Sequence, residues 1–339
     1  LYAARMRNCR DQAAQYGGRA VDEGWILRAA ERCLPHVQAY APAGLAELEG
    51  VARGARLELR QVWAMNALTD LRDVAAFADP GLGQTEGEGC SSLVAQGAAV
   101  AGGGVLLGQT WDLATDNMPF VRVVHRRPEA GPETLALTTV GCLCLIGLND
   151  AGLAVGTTNL RTTDARPGVG YLDVIHRALG ETSFEAARRA IRDAPRAGAH
   201  YYYLGSVEGR VTTFECTAAR AVERPVEDDV HVHCNHALEP ENAALEAEGM
   251  PVASTHHRQA RLTALASPAR PLEPRALQGF FADIDGGPLA INRKGFGGIS
   301  SNGSVVMALD REGLRFWAVH GPADEGAWIA RALGRHLMA

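Results

Sequence analysis

Apolar and polar positions change rhythm once along this chain. Up to about residue 75 the apolar residues recur at helical spacing. Gly44-Leu-Ala-Glu-Leu-Glu-Gly-Val-Ala-Arg-Gly-Ala55 is one such run, and Leu59 through Leu71 continues it. Pro35, Pro42 and Gly54 predict breaks between helices. Asp79-Pro-Gly-Leu-Gly-Gln-Thr-Glu-Gly-Glu-Gly89 has no periodicity, is acidic and glycine-rich, and predicts a loop or linker. From Cys90 the pattern becomes that of short strands: Ser92–Ala95, Val105–Gly108, Phe120–Val124 and Thr134–Val140. Leu143–Leu148 and Gly152–Thr158 flank the turn signal Asn149-Asp-Ala-Gly and predict a hairpin.

Two helices are expected over residues 171–193, the second opened by the capping-box pattern Thr182-Ser-Phe-Glu. Strands follow at Tyr201–Leu204, Val211–Glu215 and His231–Cys234. A helix opens at Ser254 and runs to about Ala266, and strands return at Val305–Leu309 and Leu314–Val319. Strands in antiparallel hairpins followed by helices predict an α+β fold with helices layered on sheets.

Composition narrows the functional classes. Hydrophobic residues at 47% and charged residues at 21% describe a soluble chain with a sizeable core. A net charge of −6 and a pI near 6.0, with a single lysine at Lys294, argue against a nucleic-acid surface. No apolar stretch is long enough to span a bilayer. The seven cysteines are odd in number and lack the spacing of a disulfide framework, which fits free thiols in a reducing cytoplasm.

One of those thiols sits at a telling junction. The linker ends at Gly89-Cys90-Ser-Ser, and a strand begins there. If the Gly89–Cys90 bond were cut, the freed α-amine of Cys90, with a reference pKa of roughly 7.7–8.0, would be a base for its own thiol. A glycine before the nucleophile would also let the backbone adopt a strained geometry for self-attack. A lone buried cysteine at a strand start would need none of this; the surrounding residues give Cys90 its meaning.

Gly89-Cys-Ser-Ser-Leu-Val together with Gly108-Gln-Thr-Trp-Asp-Leu113 resembles the acyl-coenzyme A:6-aminopenicillanic acid acyltransferase family, the C45 peptidase group of Ntn hydrolases. Further segments are similar in the same order: Gly44–Ala55 with Val62-Trp-Ala-Met-Asn-Ala-Leu-Thr-Asp, then Leu148-Asn-Asp-Ala-Gly-Leu-Ala-Val-Gly-Thr-Thr-Asn159, His231-Val-His-Cys-Asn-His-Ala-Leu238 and Ser254-Thr-His-His-Arg258. The resemblance implies a four-layer αββα Ntn-hydrolase sandwich of two antiparallel sheets. Residues 1–89 would be a helical α-chain and residues 90–339 the catalytic β-chain, together one domain. It implies autoproteolysis at Gly89–Cys90, Cys90 as nucleophile, Asp112 as the acidic residue that positions it, and Asn235 as oxyanion donor. Ser92 stands where a hydroxyl residue lies near the scissile bond. Gln109, Trp111, Asn159, His236 and Ser300 complete the expected substrate or supporting set.

The expected reaction is attack of Cys90 on a small amide, an acyl-enzyme, and release to water or to an amine, with no cofactor and no metal. The expected partners are a small-molecule amide of secondary metabolism and the chain's own α-segment, with self-association left open. One departure stands out: the family's late Ser-Arg pair corresponds here to Gly298-Ile-Ser-Ser-Asn-Gly-Ser-Val-Val-Met, which carries Ser300, Ser301 and Asn302 but no arginine, while Arg293 lies outside the motif. That weakens acyl-CoA dependence and favours hydrolysis.

Rival readings are weaker. Bile-salt hydrolases and penicillin V acylases tend to carry an arginine where this chain has Gln109, and they lack a leader of this length. A Cys–His hydrolase could draw on His233, His236, His256 or His257, and His231 and His233 could meet on one strand face as metal ligands, but nothing else has zinc-ligand spacing. A non-catalytic binding protein on the same fold would not need Cys90, Asp112 and Asn235 together. Gly102-Gly-Gly reads as a hairpin turn, not a phosphate loop, since no Lys-Ser/Thr follows.

Overall fold

Five helices precede the first strand. The computed structural model describes residues 1–17, 21–77, 89–226, 229–247 and 252–334. Helices α1 (Tyr2–Gly17), α2 (Glu23–Tyr40), α3 (Pro42–Ala55), α4 (Leu59–Asn66) and α5 (Leu68–Phe77) fill the leader. The predicted linker up to residue 88 lies outside the described residues.

The predicted break at Pro35 does not occur, because α2 runs straight through it. An interior proline forfeits one backbone hydrogen bond, but Ile26, Ala30, Cys33, Val37 and Tyr40 bury a continuous face of this helix, and that packing holds it together. Pro42 sits at the start of α3, where its missing N–H costs nothing. The break expected at Gly54 falls two residues later, where Arg56 takes a left-handed conformation (φ 56°) and its N–H closes onto Ala52 and Arg53.

The remaining strands are β1 (Gly89–Gln96), β2 (Val105–Ala114), β3 (Val121–Arg126), β4 (Thr134–Thr139), β5 (Ile146–Asn149), β6 (Leu153–Asn159), β7 (His200–Ser206), β8 (Val211–Cys216), β9 (Ala221–Val226), β10 (Val230–His233), β11 (Ile299–Asp310), β12 (Gly313–His320) and β13 (Ile329–Leu333). Helices α6 (Tyr171–Leu179) and α7 (Phe184–Arg192) follow β6. Helices α8 (Pro240–Ala243), α9 (Val252–Ala266) and α10 (Pro274–Phe281) follow β10. The cap of α7 is Ser183, one residue later than the pattern suggested; it accepts from Ala186 N at 3.3 Å. Gly102, Gly103 and Gly104, all at positive φ, turn the chain between β1 and β2, as the hairpin reading requires.

Two antiparallel sheets result, ordered β10-β1-β2-β11-β12-β13 and β3-β4-β5-β6-β7-β8-β9. They face each other through β1 and β2 against β6, and β11 and β12 against β5. Helices α9 and α10 cover the outer face of the first sheet, α6 and α7 that of the second. This is the four-layer αββα sandwich. One apolar core, with Val94, Leu107, Leu137, Val155, Tyr203 and Phe316, fills the space between the sheets and continues into the leader; a second, with Leu93, Leu262, Leu277, Phe281 and Val306, lies under α9 and α10.

The leader packs against the catalytic part through α3 and α4 on α6, and its contacts are unusually polar. Trp63 Nε1 donates to Asp173 Oδ2 at 3.0 Å, Asp70 accepts from Tyr171 N at 3.1 Å and lies 3.3 Å from His200 Nε2, and Arg161 lies 3.8 Å from Asp73. All of these groups are buried. No helix among the described residues is long and apolar enough to cross a membrane.

Candidate active site

The register of three strands brings the expected residues together. β1 pairs with β2 so that Gly89 faces Asp112 and Cys90 faces Trp111, and β11 pairs with β2 so that Ser301 faces Asp112. A bulge at Asn302 interrupts β11 there. Asn302 Nδ2 spans the irregularity by donating to the carbonyls of Leu113 and Ser300.

Cys90 is 7% exposed. Its backbone N–H donates to Asn235 Oδ1 at 2.7 Å, and its carbonyl accepts from Arg258 Nη1. Arg258, fully buried on α9, also donates from Nη1 to Ser91 Oγ at 3.0 Å and from Nη2 to Asn235 Oδ1 at 2.9 Å, while its Nε donates to Ser254 Oγ at 3.3 Å. The Ser254/Arg258 spacing seen in the sequence is thus a single device: one helical turn apart, the serine steadies the guanidinium that grips the Cys90 peptide. Arg258 was not among the expected site residues. The hydroxyl sharing this arginine is Ser91, not Ser92; Ser92 Oγ instead donates to the His233 carbonyl at 2.9 Å.

Asn235 is fixed on every side. Its N–H donates to Thr255 Oγ1 at 2.7 Å, and its Nδ2 donates to the Asn159 carbonyl at 2.8 Å. Thr255 Oγ1 also meets His236 Nδ1 at 2.9 Å. That hydroxyl can accept from Asn235 and at the same time donate to a neutral His236 ring. Burial and then the nearby His256 push the His236 pKa down to about 4, in keeping with that role.

Asp112 accepts from Ser301 Oγ at 2.7 Å through Oδ1, and Oδ2 is buried without a hydrogen-bond partner among the described residues. Burial raises its pKa, while the charges of Arg258 and then Arg293 oppose the rise. Arg293, outside the motif in sequence, joins it in space: its N–H donates to Ser301 Oγ at 2.9 Å.

Gly89 is a strand residue outside the positive-φ set, so the strained backbone expected before the nucleophile is not what the glycine provides. A Cβ there would lie 3.1 Å from Arg258 Nη2 and 3.3 Å from Asp112 Oδ2. The glycine lets the two charged groups approach the peptide.

The other expected residues are arranged around this centre. Gln109 ties the two sheets together, accepting from Thr157 N at 2.8 Å and Tyr203 Oη at 3.0 Å and donating to the Thr157 carbonyl at 2.7 Å. Ser300 Oγ meets Thr115 Oγ1 at 2.8 Å at the end of β2. Trp111 and Asn159 line a cavity beside Cys90, with Leu113, Leu145 and Tyr171 from the catalytic part and Arg5, Leu68 and Thr69 from the leader. Gly89 forms part of its wall, and its free volume is about 30 Å³.

His233 is buried with Nε2 at 3.1 Å from Glu215 Oε1, Nδ1 at 3.0 Å from Thr158 Oγ1, and its ring stacked 3.8 Å from Tyr201. His231 lies 6.3 Å from it, centroid to centroid. Among the described residues no group of three or more His, Cys, Asp or Glu side chains could hold a metal ion, and no cysteine there forms a disulfide.

Several solved structures are similar in outline. The penicillin V acylase of Agrobacterium tumefaciens matches with 17% identity and a TM-score of 0.47, over 71% of this chain and 86% of its own. A Caenorhabditis elegans N-acylethanolamine-hydrolyzing acid amidase ortholog matches with 14% identity and a TM-score of 0.47, over 65% and 92%. A variant of the conjugated bile acid hydrolase of Clostridium perfringens matches with 10% identity and a TM-score of 0.46, over 74% and 99%. The family model of acyl-coenzyme A:6-aminopenicillanic acid acyl-transferase matches residues 100–309, more than half of the chain. The chain from β2 to the end of β11, short of Asp310, falls inside that match, with Asp112, Asn235 and Arg258 in it, and the chain belongs to this family of enzymes.

Proposed function

We propose that this chain is a self-cleaving N-terminal-cysteine amidohydrolase that forms an acyl-enzyme at Cys90. The observation that carries the reading is the double grip on the Cys90 peptide: Asn235 Oδ1 on its N–H and Arg258 on its carbonyl, with Asp112 Oδ2 beside Gly89. In the first step the Cys90 thiol attacks the Gly89 carbonyl. The Cys90 nitrogen takes up a proton and leaves, and water hydrolyses the resulting thioester. The freed amine stays under Asn235, close to the thiol it serves as base.

Freed from Cys90, Gly89 could withdraw and open the cavity, whose 30 Å³ admits almost nothing before the cut. An amide could then enter beside Trp111 and Leu113. Cys90 attacks its carbonyl, the α-amine carries the thiol proton to the leaving amine, and water releases the acyl group. An amide nitrogen bears two hydrogens. One Asn235 Nδ2 hydrogen is held by the Asn159 carbonyl, and the other is available to the oxyanion. The family match and Arg293 beside Asp112 favour a second outcome, acyl transfer to an amine, in which the amine replaces water.

Intact-mass measurement of purified protein, followed by an amide panel with and without acyl-CoA, tests both. Pieces ending at Gly89 and beginning at Cys90 are expected, with amide turnover by the cut form. Full turnover by wild type that stays whole would overturn the mechanism. Turnover only with acyl-CoA and an amine would make transfer the reaction.

A further inference from the structure

The helices of the leader send three residues to the cavity beside Cys90, and one of them is charged. Arg5 of α1 lines it together with Leu68 and Thr69 of α5. Arg5 is 2% exposed, and its partners are neutral. Its Nε donates to Asn117 Oδ1 at 3.2 Å, and its Nη1 donates to the Met65 carbonyl and to Cys142 Sγ, the latter at 3.5 Å. Among the described residues no carboxylate pairs with Arg5, and no acceptor meets its Nη2.

A buried guanidinium is costly unless its N–H groups and its charge are answered. Arg72 meets this with Asp73 at 2.8 Å. Arg196, likewise buried, meets it with backbone carbonyls on all three nitrogens: Thr217 on Nε, Ile191 and Arg192 on Nη1, and Arg220 on Nη2. Arg5 has neither arrangement, and it stands in a cavity wall.

The same wall holds further unmet polar atoms. Thr69 Oγ1 is buried without a hydrogen-bond partner among the described residues, and so is His200 Nδ1. A proton on His200 Nε2, which lies 3.3 Å from Asp70, leaves Nδ1 of the neutral ring an acceptor. Asp112 is the one acidic side chain among the residues lining the cavity, and it already faces Arg258 and Arg293. The charge of Arg5 is left for whatever enters. A guanidinium and a hydroxyl that open on one small space suit a carboxylate, which accepts from both.

We propose that Arg5, with Thr69, selects amide substrates that carry a free carboxylate, so that the leader supplies the specificity of a site whose nucleophile lies across the cut. The inference rests on the reading of Cys90 as nucleophile and adds the substrate class to it. Arg5 and Cys90 share a single cavity of about 30 Å³ free volume. A carboxylate held by Arg5 therefore lies within a few bonds of an amide at Cys90.

The test uses the purified full chain and two matched pairs of amides. N-hexanoylglycine and N-isobutylhexanamide exchange a carboxylate for an isopropyl group on the amine side. N-butylsuccinamic acid and its analogue with isopropyl in place of the carboxylate do the same on the acyl side. In at least one pair the carboxylate should raise kcat/KM about tenfold or more, and the pair that responds tells which side of the amide points to the leader. Arg5→Gln should bring that ratio close to one, mainly through KM, and Thr69→Val should lower it about threefold or more. A wild-type ratio near or below one in both pairs, or the wild-type ratio retained in Arg5→Gln, would overturn the proposal and leave the amidase reading standing. If Arg5→Gln does not fold by circular dichroism, the wild-type ratio and Thr69→Val decide. If no amide turns over, it is the amidase reading that fails, and calorimetry of the two acids against their isosteres decides on the carboxylate site. Binding of either acid about tenfold tighter than its isostere supports the site, and no such preference overturns it.

Discussion

Asn235 Oδ1 holds the Cys90 N–H at 2.7 Å while the same side chain's Nδ2 donates to the Asn159 carbonyl at 2.8 Å. One amide thus turns its acceptor to the Cys90 nitrogen and its donor to the Asn159 carbonyl. The two duties separate by substitution. Asn235→Asp keeps the acceptor and is expected to mature yet turn over about 10²–10³ slower; Asn235→Ala should fail in both. Intact mass and steady-state kinetics read the two effects, and normal turnover in Asn235→Asp would remove the donor role.

Asp112→Asn keeps size and hydrogen-bonding capacity but removes the charge beside Gly89. Slow or absent cleavage is expected over an intact-mass time course. Because burial raises the Asp112 pKa despite two arginines, its charge does not add to the stability of the fold, and the neutral variant should melt near the wild-type temperature. Cleavage and turnover at wild-type rates would reduce Asp112 to a packing residue.

Gly89→Ala pushes a methyl group to 3.1 Å from Arg258 Nη2. The guanidinium must retreat by a few tenths of an ångström, which loosens its hold on the Cys90 carbonyl. Cleavage slowed about tenfold or more is expected, with little change in melting temperature, since the backbone there is ordinary strand. Wild-type cleavage kinetics would show that the close approach is incidental.

Stability should fall on acidification through a definite window. Burial holds His231 and His236 at about 4 in the fold, against about 6.5 in an unfolded chain. Depressed histidines favour the folded state above the unfolded value, and the advantage is lost as pH drops from about 6.5 toward 4. Thermal melts across that range should show the decline, and His236→Gln should shallow it. An equally steep decline in that variant would assign it elsewhere.

The sequence made the centre of the site legible because strands alternate faces and pair in register, so Gly89-Cys-Ser-Ser and Gln109-Thr-Trp-Asp had to lie side by side once β1 and β2 formed a hairpin. Contacts between distant segments were harder to see. Arg258 and Arg293 act from a helix and a loop far along the chain, and only the Ser254/Arg258 spacing hinted at one of them. Ser92 came from the family resemblance, whereas the arginine reaches Ser91 on the opposite face of the strand. Strand β9 escaped notice because Pro225 lies in it, which an edge strand tolerates. Strand β13 is mostly exposed and lacks alternation. Helix α10 did carry a signal, a proline at its first position after Glu273.

The polar seam between the leader and the catalytic part has a consequence for how the protein can be unmade. Asp70 against His200, Trp63 on Asp173 and Asp73 near Arg161 find one another while the chain is continuous, when closing the seam is an intramolecular event. A cut after Gly89 would make the same reunion a collision between two molecules, each exposing buried charge and apolar surface. Heat would then separate what cooling does not rejoin at low concentration, and the enzyme's working lifetime would be set by how slowly the seam opens rather than by an equilibrium.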